Sequence, residues 1–448
     1  MTKGLFFAVA VLAITGCGKS SSADAQVHEL EVVKALEQQS FPQTVTPGDY
    51  SGISMIDESH YAVVSDKSGS DGFFIFEIKF DKKSGTITSA SNSSSDGTSV
   101  SFFSAGGSNR DAEGIVYFPA GASAVSKNAS AADGNGTLFI SGEADKAVYE
   151  YNMKGARTGR KFNIPTVFSG ASSNSGFESL AYNAKTHRFW TTTESTIPSD
   201  GTQATATNGV CNVLRFQSFD ENLQPAEQYV YKMDAPSAAA AVEAENKAAE
   251  EKRANAAKNG GTNDSVGDLF SMLTSVASQV LSQSSAAKGA AADMPYAMGV
   301  SELLALDDGS LVVLEREFYI PSGIIGARVV CKLYLVNPAD CKPIAIASSA
   351  PGSASTSSAA GSASTASVSD ISQFSAAIPS DAKILSKRLL YQFTTAIKSL
   401  NDFNIANYEG MCLGPVLNNG NQTIILISDS QSGYKGILQD WFKVLEIK

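Results

Sequence analysis

The sequence predicts an all-β protein: a β-propeller of five recognisable four-stranded modules, in five or six blades, closed by an N-terminal strand. Two observations carry that expectation. One short module recurs five times: a small or acidic residue, an apolar strand, a turn, a second strand and a closing acidic residue. A strand-like run also stands ahead of the first module, while a strand without a successor ends the last. Such units cannot bury their apolar faces alone, so they must stack. Pairing the first strand with the last sheet would close the ring and remove its exposed edges.

The elements follow in chain order. Residues 1–17 read as an export signal: Lys3 supplies the positive end, and Leu5 to Ile14 is apolar but too short to span a bilayer. Its end, Leu12-Ala13-Ile14-Thr15-Gly16-Cys17, resembles a bacterial lipoprotein cleavage box, in which Cys17 becomes the diacylated first residue; an ordinary secretory signal is the alternative. Residues 18–27 form a Ser-rich tether, and Gly18 after the Cys favours outer-membrane sorting. The expected location is therefore the bacterial cell envelope, with acyl chains on Cys17 holding the protein to the membrane. Residues 28–448 make the propeller domain, beginning with the alternating run Leu30 to Leu36.

The first module runs from Ser51 through the turn Asp57-Glu58-Ser59-His60 to Asp66. The second runs from Asp111-Ala112-Glu113-Gly114 to Glu143 around a longer insertion, and the third from Gly176-Phe177-Glu178 to Glu194. The fourth runs from Gly299-Val300-Ser301-Glu302 to Glu315, the fifth from Tyr408-Glu409-Gly410 to Asp429. Third strands are expected at Phe73–Phe80, Ala147–Asn152, Val213–Phe219, Val329–Val336 and Trp441–Ile447. Fourth strands are expected at Ser99–Phe103, Lys161–Ile164, Gln228–Met233 and Leu389–Phe393. Two insertions interrupt the pattern: residues 235–294, Ala-rich and helix-prone, and residues 348–369, a Ser/Ala-rich loop.

If each module is a hairpin, the start of its first strand lies beside the end of its second. That pairs Glu113 with Glu143, Glu178 with Glu194, Glu302 with Glu315 and Glu409 with Asp429, with Asp66 opposite Ser51. Like charges facing across strands are destabilising, so their repetition calls for a compensating cation. First strands line a propeller's channel, which would gather Glu113, Glu178, Glu302 and Glu409 at one mouth. Asp66, Glu143, Glu194, Glu315 and Asp429 would form a second row. Hard oxygen ligands in that number suit Ca²⁺. The plainer alternative has the carboxylates capping backbone N–H groups or pairing with Arg110, Lys67 and Arg316.

Composition narrows the chemistry. The chain has 34 Lys+Arg against 45 Asp+Glu, a net charge of −11; without Lys3 the balance is 33 − 45 = −12. That leaves no electrostatic footprint for nucleic acid. Beyond Cys17, the cysteines Cys211, Cys331, Cys341 and Cys412 form an even set that permits disulfides in an oxidising compartment. The only histidines are His28, His60 and His187, the last two in turns, and no Gly-x-Ser-x-Gly elbow, Arg-His-Gly motif or P-loop is present. Ser301 lacks an elbow's closing Gly and reads as structural.

The ordered phrases Asp111-Ala112-Glu113-Gly114, Gly176-Phe177-Glu178-Ser179-Leu180-Ala181, Gly299-Val300-Ser301-Glu302-Leu303, Leu311-Val312-Val313-Leu314-Glu315-Arg316 and Asn407-Tyr408-Glu409-Gly410-Met411 resemble the phytase-like family described as "esterase-like activity of phytase". The resemblance runs from about Ser51 to Lys448 and implies a β-propeller. It also implies a Ca²⁺-dependent hydrolase of phytate or related phosphate esters, for which Glu178, Glu302 and Arg316 are the candidate catalytic residues. The competing expectation is a non-catalytic binding or scaffold propeller of the envelope; on either reading a monomer is expected.

Overall fold

A computed structural model describes residues 30–93, 100–121, 136–172, 176–237, 296–321, 325–344, 377–399, 402–430 and 438–448, with the isolated positions 247 and 251. The signal, Cys17, the tether and nearly all of both insertions lie outside the described residues. The chain forms a five-bladed β-propeller, which settles the number of blades at five.

Strand β1 (Val32–Ala35) stands first in the sequence but belongs to the last blade. Blade 1 holds β2 (Tyr50–Met55), β3 (His60–Ser65), β4 (Gly72–Phe80) and β5 (Ile87–Ser91), with β6 (Phe102–Ser104) also paired to β4. Blade 2 holds β7 (Ala112–Phe118), β8 (Thr137–Gly142), β9 (Ala147–Asn152) and β10 (Arg157–Lys161). Blade 3 holds β11 (Ala181–Asn183), β12 (Arg188–Thr191), β13 (Val213–Phe219) and β14 (Pro225–Lys232). Blade 4 holds β15 (Tyr296–Ala305), β16 (Leu311–Tyr319), β17 (Arg328–Val336), β18 (Lys387–Ser399) and β19 (Asp402–Phe403). Blade 5 holds β20 (Asn407–Leu413), β21 (Gln422–Asp429) and β22 (Phe442–Ile447), completed by β1. The Val32↔Ile447 and Ala35↔Leu445 pairings are the expected ring closure.

Two strand expectations need correction. The fourth strand of blade 1 is Ile87–Ser91; the segment around Phe102 instead pairs with the early part of β4, where Phe73 stacks on Phe103 at 5.5 Å. The fourth strand of blade 2 lies earlier, at Arg157–Lys161, and is followed by irregular backbone leading into a short 3-10 turn at Thr166–Gly170 rather than extended to Ile164.

Each neighbouring pair of blades shares its own apolar core, because the alternating residues of one sheet pack on those of the next. Phe118, Phe139, Phe162, Phe189 and Phe219 fill the boundary between blades 2 and 3. Trp190, Phe216 and Tyr231 fill that between blades 3 and 4, and Tyr408, Leu426 and Leu445 join Leu314 and Leu333 between blades 4 and 5. The four described cysteines are all free thiols, so none of the permitted disulfides forms. Cys331 sits buried in mid-strand on β17, whereas Cys341 follows in a turn after that strand.

Every inner strand is broken at the same point. Tyr50 pairs with Ser65 but Gly52 with Val64; Val300 pairs with Glu315 but Glu302 with Leu314; Tyr408 pairs with Ser428 but Gly410 with Ile427. The same one-residue shift separates Ala112↔Gly142 from Ile115↔Ile140, and Phe177↔Thr193 from Ala181↔Trp190. These are β-bulges, which re-aim the extra residue's side chain and end regular pairing. They sit near the start of the innermost strand in blades 1, 2, 3 and 5, while in blade 4 the pairing runs on past the bulge to Tyr296↔Tyr319; together they build one end of the propeller axis.

Candidate functional site

The bulges decide which carboxylates meet. Aligned on them, the bulged position holds Ser51, Glu113, Glu178, Ser301 and Glu409 in blades 1 to 5, and the next position holds Gly52, Gly114, Ser179, Glu302 and Gly410. On the second strand, the residue after the partner of the position preceding the bulge is Asp66, Glu143, Glu194, Arg316 and Asp429, the last two going on to pair with Gly299 and Asn407. Blade 4 is therefore displaced by one residue on both strands. A one-residue slip sends a strand's side chains to the opposite face, and this corrects two predicted site residues, Glu302 and Glu315.

Glu302 lies on the axis, in the ring position that other blades fill with Gly or Ser. The inner backbones are in contact there: a Cβ on Gly114 would stand 2.6 Å from the Leu180 nitrogen. The Glu302 carboxylate fills this narrow space, Oε1 accepting from the N–H groups of Leu180 and Leu303 at 3.0 Å each. Burial raises its pKa well above the usual range against the pull of these N–H groups and of the Met411 N–H. Glu302 thus pins blade 3 to blade 4 rather than lining the mouth.

Glu315 points instead into a separate polar cluster between blades 3 and 4. It accepts from Tyr231 Oη and Lys387 Nζ, each at 2.6 Å, while Asp234 accepts from Lys332 Nζ at 2.7 Å and Lys387 Nζ at 2.8 Å. Two lysines answer two carboxylates, so this cluster is neutralised internally.

Arg316 takes the place at the mouth that the sequence reading gave to a carboxylate. Its guanidinium donates to Glu194 Oε1 at 2.5 Å, to Asn407 Oδ1 at 3.0 Å and to Glu409 Oε1. Its side chain is 6% exposed. It braces blades 3, 4 and 5 and is not free to contact a substrate, contrary to the expected catalytic role. Arg110, the other cation expected there, pairs with Asp145 at 2.8 Å and donates to Tyr151 Oη at 3.0 Å. Its guanidinium is thus engaged by groups of blade 2.

The rest of the mouth is carboxylate. Glu113, Glu143 and Glu178 are buried, and Glu113 has no hydrogen-bond or ion-pair partner among the described residues. Burial and then Glu178, Asp66, Glu143 and Glu409 push the Glu113 carboxyl well up. Burial raises Glu143 to about 8, although Glu178 and the Gly176 N–H hydrogen-bond to it; a bond between two carboxyls requires a shared proton. Glu178 is raised by burial first and by Glu143 next, Glu409 by burial, with Arg316 opposing. Asp429 is buried on β21, its backbone bridged to Asp49. The leading Gly of the module has a role here: a Cβ on Gly176 would stand 2.9 Å from Glu143 Cγ, and one on Gly299 would collide with Glu194.

At the outer rim, ligand oxygens of Asp66, Asp111 and Glu113 all lie within 4.8 Å of one another. Burial lifts Asp66 to about 7, with Lys67 pulling down and Glu409 and Asp49 pushing up. Its Oδ1 is buried without a partner. Asp111 escaped the sequence reading as a ligand, since it stands just ahead of β7 and outside that strand's alternation. Its φ of 56° is a left-handed conformation that Asp tolerates better than most residues. The Asn109 side chain holds it, accepting from the Asp111 N–H at 3.0 Å while donating to the Asp66 carbonyl.

Fold and site together define a β-propeller with an acidic, largely buried axial mouth. Residues 46–431 match the family model "Phytase-like: Esterase-like activity of phytase", and the chain belongs to that family. No curated protein matches it. Among solved structures it is similar to a streptogramin B lyase, at 8% identity over 92% of this chain and 98% of that one, with a TM-score of 0.29. It is also similar to a member of the duf4221 family from Bacteroides vulgatus, at 8% identity over 94% and 98%, with a TM-score of 0.31.

Proposed function

We propose that the protein is an envelope lipoprotein, anchored through Cys17, that hydrolyses phytate or related phosphate esters with calcium held at the acidic mouth. The observation that carries this reading is Glu113: a carboxylate 6% exposed, without a partner among the described residues, beside the equally unpartnered Asp66 Oδ1. Burying charge without compensation is costly, and a divalent cation would remove the cost. Asp66, Asp111 and Glu113 would hold it, with hard oxygens that suit Ca²⁺. When bound, such an ion supplies positive charge for phosphate oxygens and acidifies a water. The chain's own contribution is the Glu143–Glu178 pair, whose shared proton suits it to general acid–base work near neutral pH. Arg316 is a positioning residue that holds Glu194 and Glu409 in place.

One observation favours the alternative of a non-catalytic binding propeller. The Lys67 ammonium spans Asp66 and Asp111, so the same oxygens would receive a cationic group from a ligand. Phosphate release from phytate by the full chain in detergent separates the readings. The hydrolase reading predicts release with calcium, none with chelator, and loss in both Glu113→Gln and Glu178→Gln. Calcium binding without phosphate release under any condition would replace it with the binding reading.

A further inference from the structure

The mouth contains two cations, and they are held very differently. Arg316 is 6% exposed and fixed to groups from blades 3 and 5. The Lys67 side chain is 37% exposed and touches the mouth only through its tip, Nζ lying 2.6 Å from Asp66 Oδ2 and 2.7 Å from Asp111 Oδ1. Those two carboxylates are also two of the three whose oxygens converge with Glu113. An ammonium and a divalent ion would therefore compete for the same atoms. A single ammonium cannot neutralise three carboxylates, and the surplus is visible among the described residues: Asp66 Oδ1 is buried without a partner, and Glu113 is buried among further carboxylates with no counter-charge. The site also does not depend on the lysine for its shape. Asp111 is set by its left-handed backbone and by Asn109, which also bonds the Asp66 carbonyl.

Resting on the calcium reading above, we propose that Lys67 is the exchangeable occupant of a divalent-cation site built by Asp66, Asp111 and Glu113. The entering ion displaces the ammonium from Asp66 and Asp111. A lysine is a compact charge on a flexible four-carbon stem, so the displaced group swings to the rim without leaving the site. There it meets an anionic group of the ligand. Cation and phosphate would then bind with mutual reinforcement, because each favours the arrangement the other needs.

Calorimetric titration of the full chain with calcium, alongside Lys67→Gln and Lys67→Arg, tests this. Removing the internal competitor should tighten calcium about tenfold in Lys67→Gln, a coupling of the size common between linked sites. Lys67→Arg, a planar donor suited to two carboxylates, should weaken it. Inorganic phosphate added to the calcium-saturated proteins should bind the wild type more tightly than Lys67→Gln. Calcium binding to the wild type that is equal or weaker in Lys67→Gln overturns the exchange and leaves the calcium reading standing. No calcium binding by any of the three overturns both.

Discussion

The two halves of the propeller mouth solve the same problem in opposite ways. Around blades 3, 4 and 5, most buried carboxylate oxygens meet partners from the chain itself: Arg316 for Glu194 and Glu409, backbone N–H groups for Glu302 Oε1 although Oε2 is left without one, lysines for Glu315 and Asp234. Around blades 1 and 2 the same module leaves Glu113 without a partner among the described residues, and one half-exposed lysine serves Asp66 and Asp111. The difference arises from one residue. In blade 4 the acidic residue of each strand stands one place out of register, which delivers Arg316 to the mouth and takes Glu302 and Glu315 away from it. A repeat can thus be self-neutralised on one side and left with surplus charge on the other without any change of fold. Surplus buried charge is a more useful sign of a ligand than acidity alone.

The largest effect is expected on the neutralised side. Arg316→Met leaves Glu194 and Glu409 buried without their counter-ion, and breaking a buried pair in this way costs about 3–5 kcal/mol. A fall in denaturant midpoint of that size, little affected by calcium, would sharpen the contrast between the halves. A calcium-reversible loss would break it. Next comes the axial pin. Glu302→Ala orphans the Leu180 and Leu303 N–H groups and should cost about 2–4 kcal/mol, whereas Glu302→Gln keeps an acceptor oxygen and should cost about 1 kcal/mol or less. Equal losses in the two would mean that Glu302 acts through charge.

The smallest effect is graded with pH and belongs to the surplus side. Glu143 near 8 and Asp66 near 7 titrate in the folded protein well above their unfolded values, so the folded state binds more protons. Their stabilisation is fully present below the unfolded carboxyl range and is lost as pH rises through 7 to 8. Without calcium, melting temperature should therefore fall between about pH 5 and pH 9, with a slope up to about 1.4 kcal/mol per pH unit for each proton released. Saturating calcium should flatten the fall by compensating the ionised carboxylates. A melting temperature that rises over this range in chelator would contradict the assignment.

The fold was legible because it is written in repeats. Apolar alternation in each module gave the hairpins, and the run before Tyr50 gave the closing strand that pairs with β22. Most of the acidic mouth was legible too, since Glu113, Glu143, Glu178, Glu194 and Glu409 do converge. The bulges were not. Simple hairpin counting assumes unbroken register, and one extra residue per inner strand leaves no mark in hydrophobic pattern because Gly, Ser and Glu all fit the bulged and following positions. That is why Glu302 and Glu315 were grouped with the mouth and Arg316 was read as a candidate catalytic residue. Asp111 was missed for a related reason: its left-handed backbone, held by Asn109, turns a strand-leading residue inward.

The most direct test of the contrast is a calcium titration of the full chain beside Glu113→Gln and Glu302→Gln, each checked for unchanged folding by thermal melting. Calcium binding lost in Glu113→Gln and retained in Glu302→Gln is the predicted result, because only the first carboxylate belongs to the side left without counter-charge. Binding that survives Glu113→Gln undiminished would contradict the account.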